Sequence, residues 1–258
     1  MTKPLSATLS KVPEVTLGFW VIKVLATTLG ETGGDAVTMS MDMGYAIGSL
    51  IFIGIFAALV VAQILAKTFH PLLYWATVLA TTTFGTTMAD FADRSLGIGY
   101  SGGSAILLAG LVASLAAWRW SEGSISVNTV ATRRVEVFYW VAILFSQTLG
   151  TALGDWMADT NGLGYEGGAF VFAAGLAVVL AAYFYTKISH TLLFWVAFIL
   201  TRPLGATLGD LLDKPQDQGG LEISRYMASG ILAALIVALI LIIPQRAGVH
   251  PGAHEENA

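Results

Sequence analysis

Long apolar stretches alternate with short polar ones along this chain, and the alternation predicts helices that cross a lipid bilayer. A transmembrane helix needs about 20 predominantly apolar residues. Eight stretches approach or reach that length, at residues 17–38, 44–66, 71–92, 98–118, 136–157, 167–186, 190–212 and 224–243. The pattern therefore predicts an all-α integral membrane protein with eight transmembrane helices.

A repeat underlies this pattern. Tryptophans recur 55, 65 and 55 residues apart, at Trp20, Trp75, Trp140 and Trp195. Ten residues after each tryptophan stands a glycine, and fifteen residues after it an aspartate: Gly30 and Asp35, Gly85 and Asp90, Gly150 and Asp155, Gly205 and Asp210. Chance does not produce four such copies, so each copy is predicted to form one hairpin of two spans. The wider middle spacing indicates that a two-repeat unit was itself duplicated.

These motifs resemble those of bacterial membrane proteins built from four tandem copies of a repeat of unknown function. Each copy in that family has two spans and a characteristic tryptophan, and the similarity covers about residues 15–245. The resemblance implies the repeat architecture and an association with metal resistance.

The odd-numbered spans carry the ionisable residues of the membrane region. They contain Lys23, Glu31, Asp35, Asp90, Asp155, Arg202 and Asp210, whereas the even-numbered spans as predicted contain no Lys, Arg, Asp or Glu apart from Arg225, the second residue of the eighth span. Charges in lipid cost several kcal/mol, and they face a bundle interior or a water-filled cavity. We therefore expect the odd helices to form the core and the even helices to face lipid.

Small residues separated by three others recur in the odd spans, and such motifs let helix backbones approach closely. The glycines concerned are Gly30, Gly34, Gly85, Gly150, Gly154, Gly205 and Gly209. We expect them to pack helices. The alternative is that they unwind the helix locally and expose carbonyl oxygens to an ion.

The aspartates suggest a cation site. Carboxylate and hydroxyl oxygens are ligands for hard cations, and threonines share the helical face of several of these aspartates. Asp35, Asp90, Asp155 and Asp210 occupy one offset in four repeats, and Glu31 lies one turn before Asp35. These five are the predicted metal ligands. The alternative is that each aspartate caps the turn that follows it and that the threonines only bond neighbouring helices.

Two buried basic residues, Lys23 and Arg202, are predicted to pair with these carboxylates. An ion pair such as Glu31 with Arg202 is either structural or part of a gate whose partners exchange during transport.

Charge outside the spans predicts the orientation. Eight Lys and Arg residues lie on the side of the termini and three on the other side, Arg94, Lys214 and Arg225. Basic loops stay in the cytoplasm. The predicted plan is a cytoplasmic N-terminal segment at 1–16, repeats one and two at 17–118, a cytoplasmic linker at 119–135, repeats three and four at 136–244, and a disordered cytoplasmic tail at 245–258. The expected location is the bacterial inner membrane.

Composition narrows the function classes. Charged residues make up 12% of the 258 residues, mean hydropathy is +0.72, and there is no cysteine. The chain shows no basic stripe for nucleic acid and no nucleophile–base pair, so we expect neither nucleic-acid binding nor enzyme activity, and no catalytic or cofactor-binding residue. His250 and His254 are expected to be solvated. The expected partners are the lipid bilayer and small cations. The sequence leaves open whether the protein forms a homo-oligomer.

Two functions of different classes fit these residues. The first is a transporter or exporter of small cations. The expected cargo is a divalent metal ion such as manganese, and one version of this function couples its transport to protons. The second is a non-transporting membrane scaffold or assembly protein whose Gly and Asp motifs only pack helices. A wet cavity that reaches the carboxylates would favour the first, and dry, fully paired carboxylates would favour the second.

Overall fold

The structure, a computed structural model, describes residues 9–249 except for the side chains of residues 159 and 160. Within that range the chain forms eight long α-helices and two short β-strands. In chain order they are β1 (Leu9–Pro13), α1 (Leu17–Asp35), α2 (Gly44–Leu65), α3 (Pro71–Asp90), α4 (Tyr100–Glu122), α5 (Arg133–Asp155), α6 (Gly164–Tyr185), α7 (His190–Asp213), α8 (Arg225–Ile242) and β2 (Ala247–Val249).

The helices are those of a membrane protein. Among the described residues, six helices, all except α1 and α3, are long and apolar enough to cross a bilayer. Helices α1 and α3 have 19 and 20 residues but are rich in threonine, glycine and carboxylates, which lowers their hydropathy. Both are largely buried by their neighbours, so their polar side chains do not face lipid.

The four odd helices form a closed ring. Helix α1 contacts α3 and α7, and α5 contacts the same two helices. The even helices lie outside this ring, with α2 on α3, α4 on α5, α6 on α7 and α8 on α1. Each even helix therefore packs on the odd helix of the next repeat. The odd helices are the core, as the distribution of charged residues predicted.

Glycine makes the close approach within the ring feasible. A Cβ atom on Gly85 would lie 2.9 Å from the backbone carbonyl carbon of Gln147 in the next odd helix. The same contact recurs around the ring, where a Cβ on the glycine would collide with the neighbouring side chain: Gly30 with Thr82, Gly150 with Arg202, and Gly205 with Thr27. The contacting residue is always the seventh after its repeat's tryptophan. Equal contacts at equal offsets indicate an approximate fourfold arrangement.

The second small residue of the motif is packed in the same way. A Cβ on Gly34 would lie 3.1 Å from Thr86, one on Gly154 would lie 3.1 Å from Ala206, and one on Gly209 would lie 2.5 Å from Glu31.

Aromatic side chains and the two strands close one end of the ring, which we call the Trp end. Trp75, Trp140 and Trp195 are almost fully buried there and contact other aromatic rings. Strands β1 and β2 pair in antiparallel fashion at this end. The Lys11 ammonium donates to Glu136 at 2.6 Å, which fastens β1 to α5.

The tail and the linker differ from the predicted plan. Residues 245–258 were expected to be disordered, but residues 247–249 form β2 because β1 supplies a partner for their backbone groups. Residues 250–258, with His250 and His254, lie outside the described residues. The predicted linker at 119–135 is shorter in the structure, because α4 continues to Glu122 and α5 begins at Arg133.

Candidate metal centre

The repeat aspartates lie at the end of the ring opposite the tryptophans, which we call the Asp end. All four are nearly inaccessible, with at most 4% of each residue exposed. Asp35, Asp90 and Asp155 each come directly before a π-helical turn, and none of the three makes a side-chain capping hydrogen bond to that turn. Capping therefore does not explain these three aspartates. Such π-helical insertions occur frequently at functional sites.

Three carboxylates from two adjacent helices meet at one point. One oxygen each from Glu31, Asp35 and Asp210 lies within 4.8 Å of the other two. An ion with oxygen ligands at about 2.4 Å spans up to about 5 Å between opposite ligands, so this spacing is within reach of a divalent cation. In addition, Oδ1 of Asp35 is buried without a hydrogen-bond partner among the described residues. The three residues can supply carboxylate oxygens to one ion.

The other two predicted ligands lie outside this cluster. Asp90 pairs with Arg94, four residues later on the same segment, with 2.8 Å between Oδ1 and Nε. Asp155 is only 4% exposed, and yet it forms no ion pair in the described part of the chain. The structure thus brings together Glu31 and two of the four repeat aspartates, and it leaves Asp155 as a buried carboxylate without a salt bridge.

Two basic side chains, one directly after α7 and one at the start of α8, reach the carboxylates at the Asp end. The ammonium of Lys214 lies 2.5 Å from Oδ2 of Asp35 and 3.2 Å from Oδ1 of Asp210. Arg225, at the start of α8, lies 3.4 Å from Asp213 and 3.9 Å from Asp35. The charge of the aspartates is therefore partly balanced from the loop.

Arg202 pairs with Glu31 as the sequence suggested. Its Nη2 donates to Oε2 of Glu31 at 2.9 Å and to the Thr86 hydroxyl at 2.6 Å. The guanidinium is fully buried, and its Nε and Nη1 have no hydrogen-bond partner among the described residues. Arg202 therefore places a positive charge between the carboxylate cluster and the Trp end.

Lys23 does not form the ion pair that was expected of it. Its ammonium is buried without a hydrogen-bond partner within residues 9–249 and lies 4.3 Å from the centre of the Phe198 ring. Lys23 precedes Glu31 by eight residues, or about 12 Å along a helix, and the lysine side chain extends into the aromatic region instead. The favourable contact it does make is a cation–π interaction.

The threonine hydroxyls serve mainly to join helices. Thr27 donates to the backbone oxygen of Thr201, Thr82 to that of Ala26, and Thr86 to that of Gly30. Other hydroxyls bond carbonyls of their own helix, as in Thr28, Thr83 and Thr148. The hydroxyl stripe was expected to offer ligands to a cation. In these bonds the threonines donate their hydroxyl hydrogens, and their oxygens keep acceptor lone pairs. The groups that the structure brings together at one point are the carboxylates of Glu31, Asp35 and Asp210.

A cavity of about 410 Å³ lies over the cluster at the Asp end. Its lining includes Lys214 and Arg225, which pair with Asp35, and Arg94, which pairs with Asp90. The basic side chains that pair with the aspartates therefore form part of the cavity wall. Buried carboxylates near a cavity at one end and an aromatic cluster at the other make the ring asymmetric.

Four residues of the site were not identified from the sequence: Arg94, Asp213, Lys214 and Arg225. In the sequence, Arg94, Lys214 and Arg225 counted only as loop charges that set the orientation, and Asp213 was not among the predicted ligands. The spacing of four between Asp90 and Arg94, and between Asp210 and Lys214, was an available signal, because residues four apart on a helix are neighbours. Asp213 and Arg225 offer no comparable local signal.

The comparisons with known proteins agree with the repeat. The chain matches the family described as Repeat of Unknown Function (DUF347) in four consecutive copies, at residues 18–69, 73–124, 138–189 and 193–244. Each match begins two residues before one of the four repeat tryptophans. No curated protein and no solved structure matches the chain.

Proposed function

The chain belongs to the DUF347 repeat family, and we propose from its buried carboxylates that it is a membrane transporter or exporter of small cations. The proposed cargo is a divalent metal ion such as manganese, held by Glu31, Asp35 and Asp210. Asp90 and Asp155, at equivalent positions of the ring, are proposed to complete the pathway around this site.

The observation that carries the proposal is the convergence of three carboxylates in a membrane-embedded core. Placing acidic side chains inside a membrane is costly, and such residues mark ion pathways and proton relays in membrane proteins. The ligands are oxygen atoms alone, which suits Mg²⁺, Ca²⁺ and Mn²⁺ better than the softer metals that prefer sulfur or nitrogen. Without cysteine anywhere in the chain, a thiolate site is excluded.

Proton coupling belongs to the same proposal. Protons and metal ions compete for the same carboxylate oxygens, so the uptake of one favours the release of the other. The proposed gate toward the Trp end is Arg202, whose charge opposes the passage of a cation until its bond to Glu31 is exchanged.

The proposed location is the bacterial inner membrane, with both termini in the cytoplasm. The three basic residues on the opposite side, Arg94, Lys214 and Arg225, are paired with carboxylates. The proposed orientation rests on the count of Lys and Arg residues, eight on the side of the termini against three on the other side. On this orientation the Asp end and its cavity face outward.

The test is transport in proteoliposomes that contain a Mn²⁺-sensitive dye. We expect the purified protein to move Mn²⁺ across the membrane, and Asp35→Asn and Asp210→Asn to abolish that movement, because the amide keeps the size of the side chain but removes its charge. The matched control is Asp217→Asn, an exposed carboxylate in the loop at the same end, which should transport like the parent.

Two results would contradict the proposal. The first is parent protein that moves none of Mn²⁺, Mg²⁺ or Ca²⁺ in either direction, with or without a pH gradient; a scaffold would then explain the molecule better. The second is a variant with both substitutions, Asp35→Asn and Asp210→Asn, that transports at the parent rate.

A further inference from the structure

The ammonium of Lys214 occupies the place where a cargo ion would bind. It lies between Asp35 and Asp210, which belong to different helices and are two of the three clustered carboxylates. Lys214 itself is only 6% exposed. A lysine ammonium is a compact positive charge, and here it contacts the same oxygens that a metal ion would need.

Lysine at this offset is specific to the fourth repeat. Lys214 is the nineteenth residue after its repeat's tryptophan, and the residues at the same offset are Met39, Arg94 and Asp159. Those three lie in π-helical turns, whereas Lys214 directly follows the end of α7. Within the described part of the chain, Arg94 forms an ion pair only with the aspartate of its own repeat, whereas Lys214 also pairs with Asp35 of another repeat.

Lys214 is placed among carboxylates. Its ammonium lies 2.5 Å from Asp35 and 3.2 Å from Asp210, and Asp213 is the preceding residue of the chain. Carboxylates at this distance favour the charged form of a lysine.

The loop that carries this cation, residues 214–224, is attached to the cluster at both ends. Lys214 binds Asp35 and Asp210 at its beginning, and Arg225 follows its end and binds Asp213. Between them the chain turns at Gly219, with φ of +87°, and at Glu222, with φ of +58°. Glu222 is a non-glycine residue in the left-handed region, a conformation that is uncommon for such residues and that persists when the surrounding contacts hold it.

We propose that Lys214 is a tethered competitor of the cargo ion: a metal ion binds to Asp35 and Asp210 only by displacing the Lys214 ammonium, and the ammonium returns when the ion leaves. The inference rests on the proposed function and adds how its site is regulated. It explains how the crowded carboxylates remain neutralised inside a membrane when no ion is bound. It also makes release of the loop part of each binding event.

The first experiment measures Mn²⁺ binding to the full-length protein in detergent by isothermal titration calorimetry. Lys214→Met keeps the length of the side chain and removes the competitor, so we expect Mn²⁺ to bind at least about tenfold more tightly than to the parent. The control is Lys187→Met, an exposed lysine in a loop at the Trp end, which should leave the affinity unchanged.

The second experiment uses the parent protein and so does not depend on the folding of a variant. An amine-acetylating reagent is applied with and without Mn²⁺, and the modified lysines are quantified by peptide mass spectrometry. Displacement should expose Lys214, so Mn²⁺ should raise its acetylation several-fold and leave Lys187 unchanged. Asp35→Asn should raise the acetylation of Lys214 without any metal.

The outcomes separate this inference from the proposed function. If the parent binds Mn²⁺ with the same affinity as Lys214→Met, or if bound Mn²⁺ leaves the acetylation of Lys214 unchanged, the tether is wrong and the cation site stands. If neither the parent nor Lys214→Met binds Mn²⁺, Mg²⁺ or Ca²⁺, the proposed function is wrong and the inference falls with it. Binding by Lys214→Met alone supports the inference in its strongest form.

Discussion

At the scale of single residues, the buried pair of Glu31 and Arg202 shows how charge is placed in this core. The two groups lie 2.9 Å apart with side-chain exposures of 3% and 0%. Arg202 stands where the other repeats have Thr27, Thr82 and Gln147, and Glu31 where they have Thr86, Thr151 and Ala206. The pair is therefore a departure from the repeat, introduced at two positions that contact across adjacent helices.

Removal of one partner should cost more than removal of both. Glu31→Gln or Arg202→Met alone leaves an uncompensated buried charge, which typically destabilises a protein by about 3–5 kcal/mol. The double variant removes both charges, and we expect its unfolding midpoint to lie closer to that of the parent than the sum of the single effects. Thermal unfolding of the four proteins in one detergent measures this. Strictly additive losses would show that the two side chains are not coupled.

At the scale of helices, the ring is held by glycine contacts that recur at the same offset. Between α5 and α7, a Cβ on Gly154 would already lie 3.1 Å from Ala206 and 3.3 Å from the backbone oxygen of Pro203. Larger side chains there must push the helices apart. Gly54 on the outer helix α2 has nothing within 4 Å of its Cβ position and faces the lipid side.

Gly154→Leu should therefore destabilise the protein, whereas Gly54→Leu should not. Overpacking of a close contact costs about 1–3 kcal/mol, and leucine is as apolar as lipid, so the control substitution changes little. The measurement is the unfolding midpoint in detergent of the two variants beside the parent. Equal midpoints for all three would mean that α5 and α7 do not pack as closely as described.

At the scale of the whole molecule, the ring has two unlike ends. The Trp end carries β1, β2 and buried aromatic side chains, and the Asp end carries the carboxylates and the cavity. The carboxylate site therefore lies near one end of the ring, and the orientation of the protein in the membrane determines the side from which the site is reached.

The orientation can be tested with single cysteines, because the chain has none of its own. Gln216→Cys lies in an exposed loop at the Asp end and Ser189→Cys in an exposed loop at the Trp end. In intact cells, an impermeant thiol reagent should label the first and reach the second only after permeabilisation. The reverse pattern would place the termini outside and overturn the proposed orientation.

The repeat, the number of helices and the identity of the core helices were all predictable from the amino-acid sequence. These follow from local regularities: a fixed offset from each tryptophan gives the repeat, apolar length gives the helices, and the cost of charge in lipid places Asp35, Asp155 and Arg202 inside. The pairing of Glu31 with Arg202 was also suggested, because few buried partners were available.

Which side chains meet across the helices became known from the three-dimensional structure. Both α3 and α7 are adjacent to α1, yet only Asp210 of α7 joins Asp35 and Glu31 in the cluster, while Asp90 of α3 pairs with Arg94. The repeat offset gives all four aspartates the same level but cannot rank their separations. The structure also directed Lys214 to Asp35, 179 residues away in the chain, and turned Lys23 toward Phe198. Such contacts depend on side-chain reach across helices, and a linear pattern carries no information about that distance.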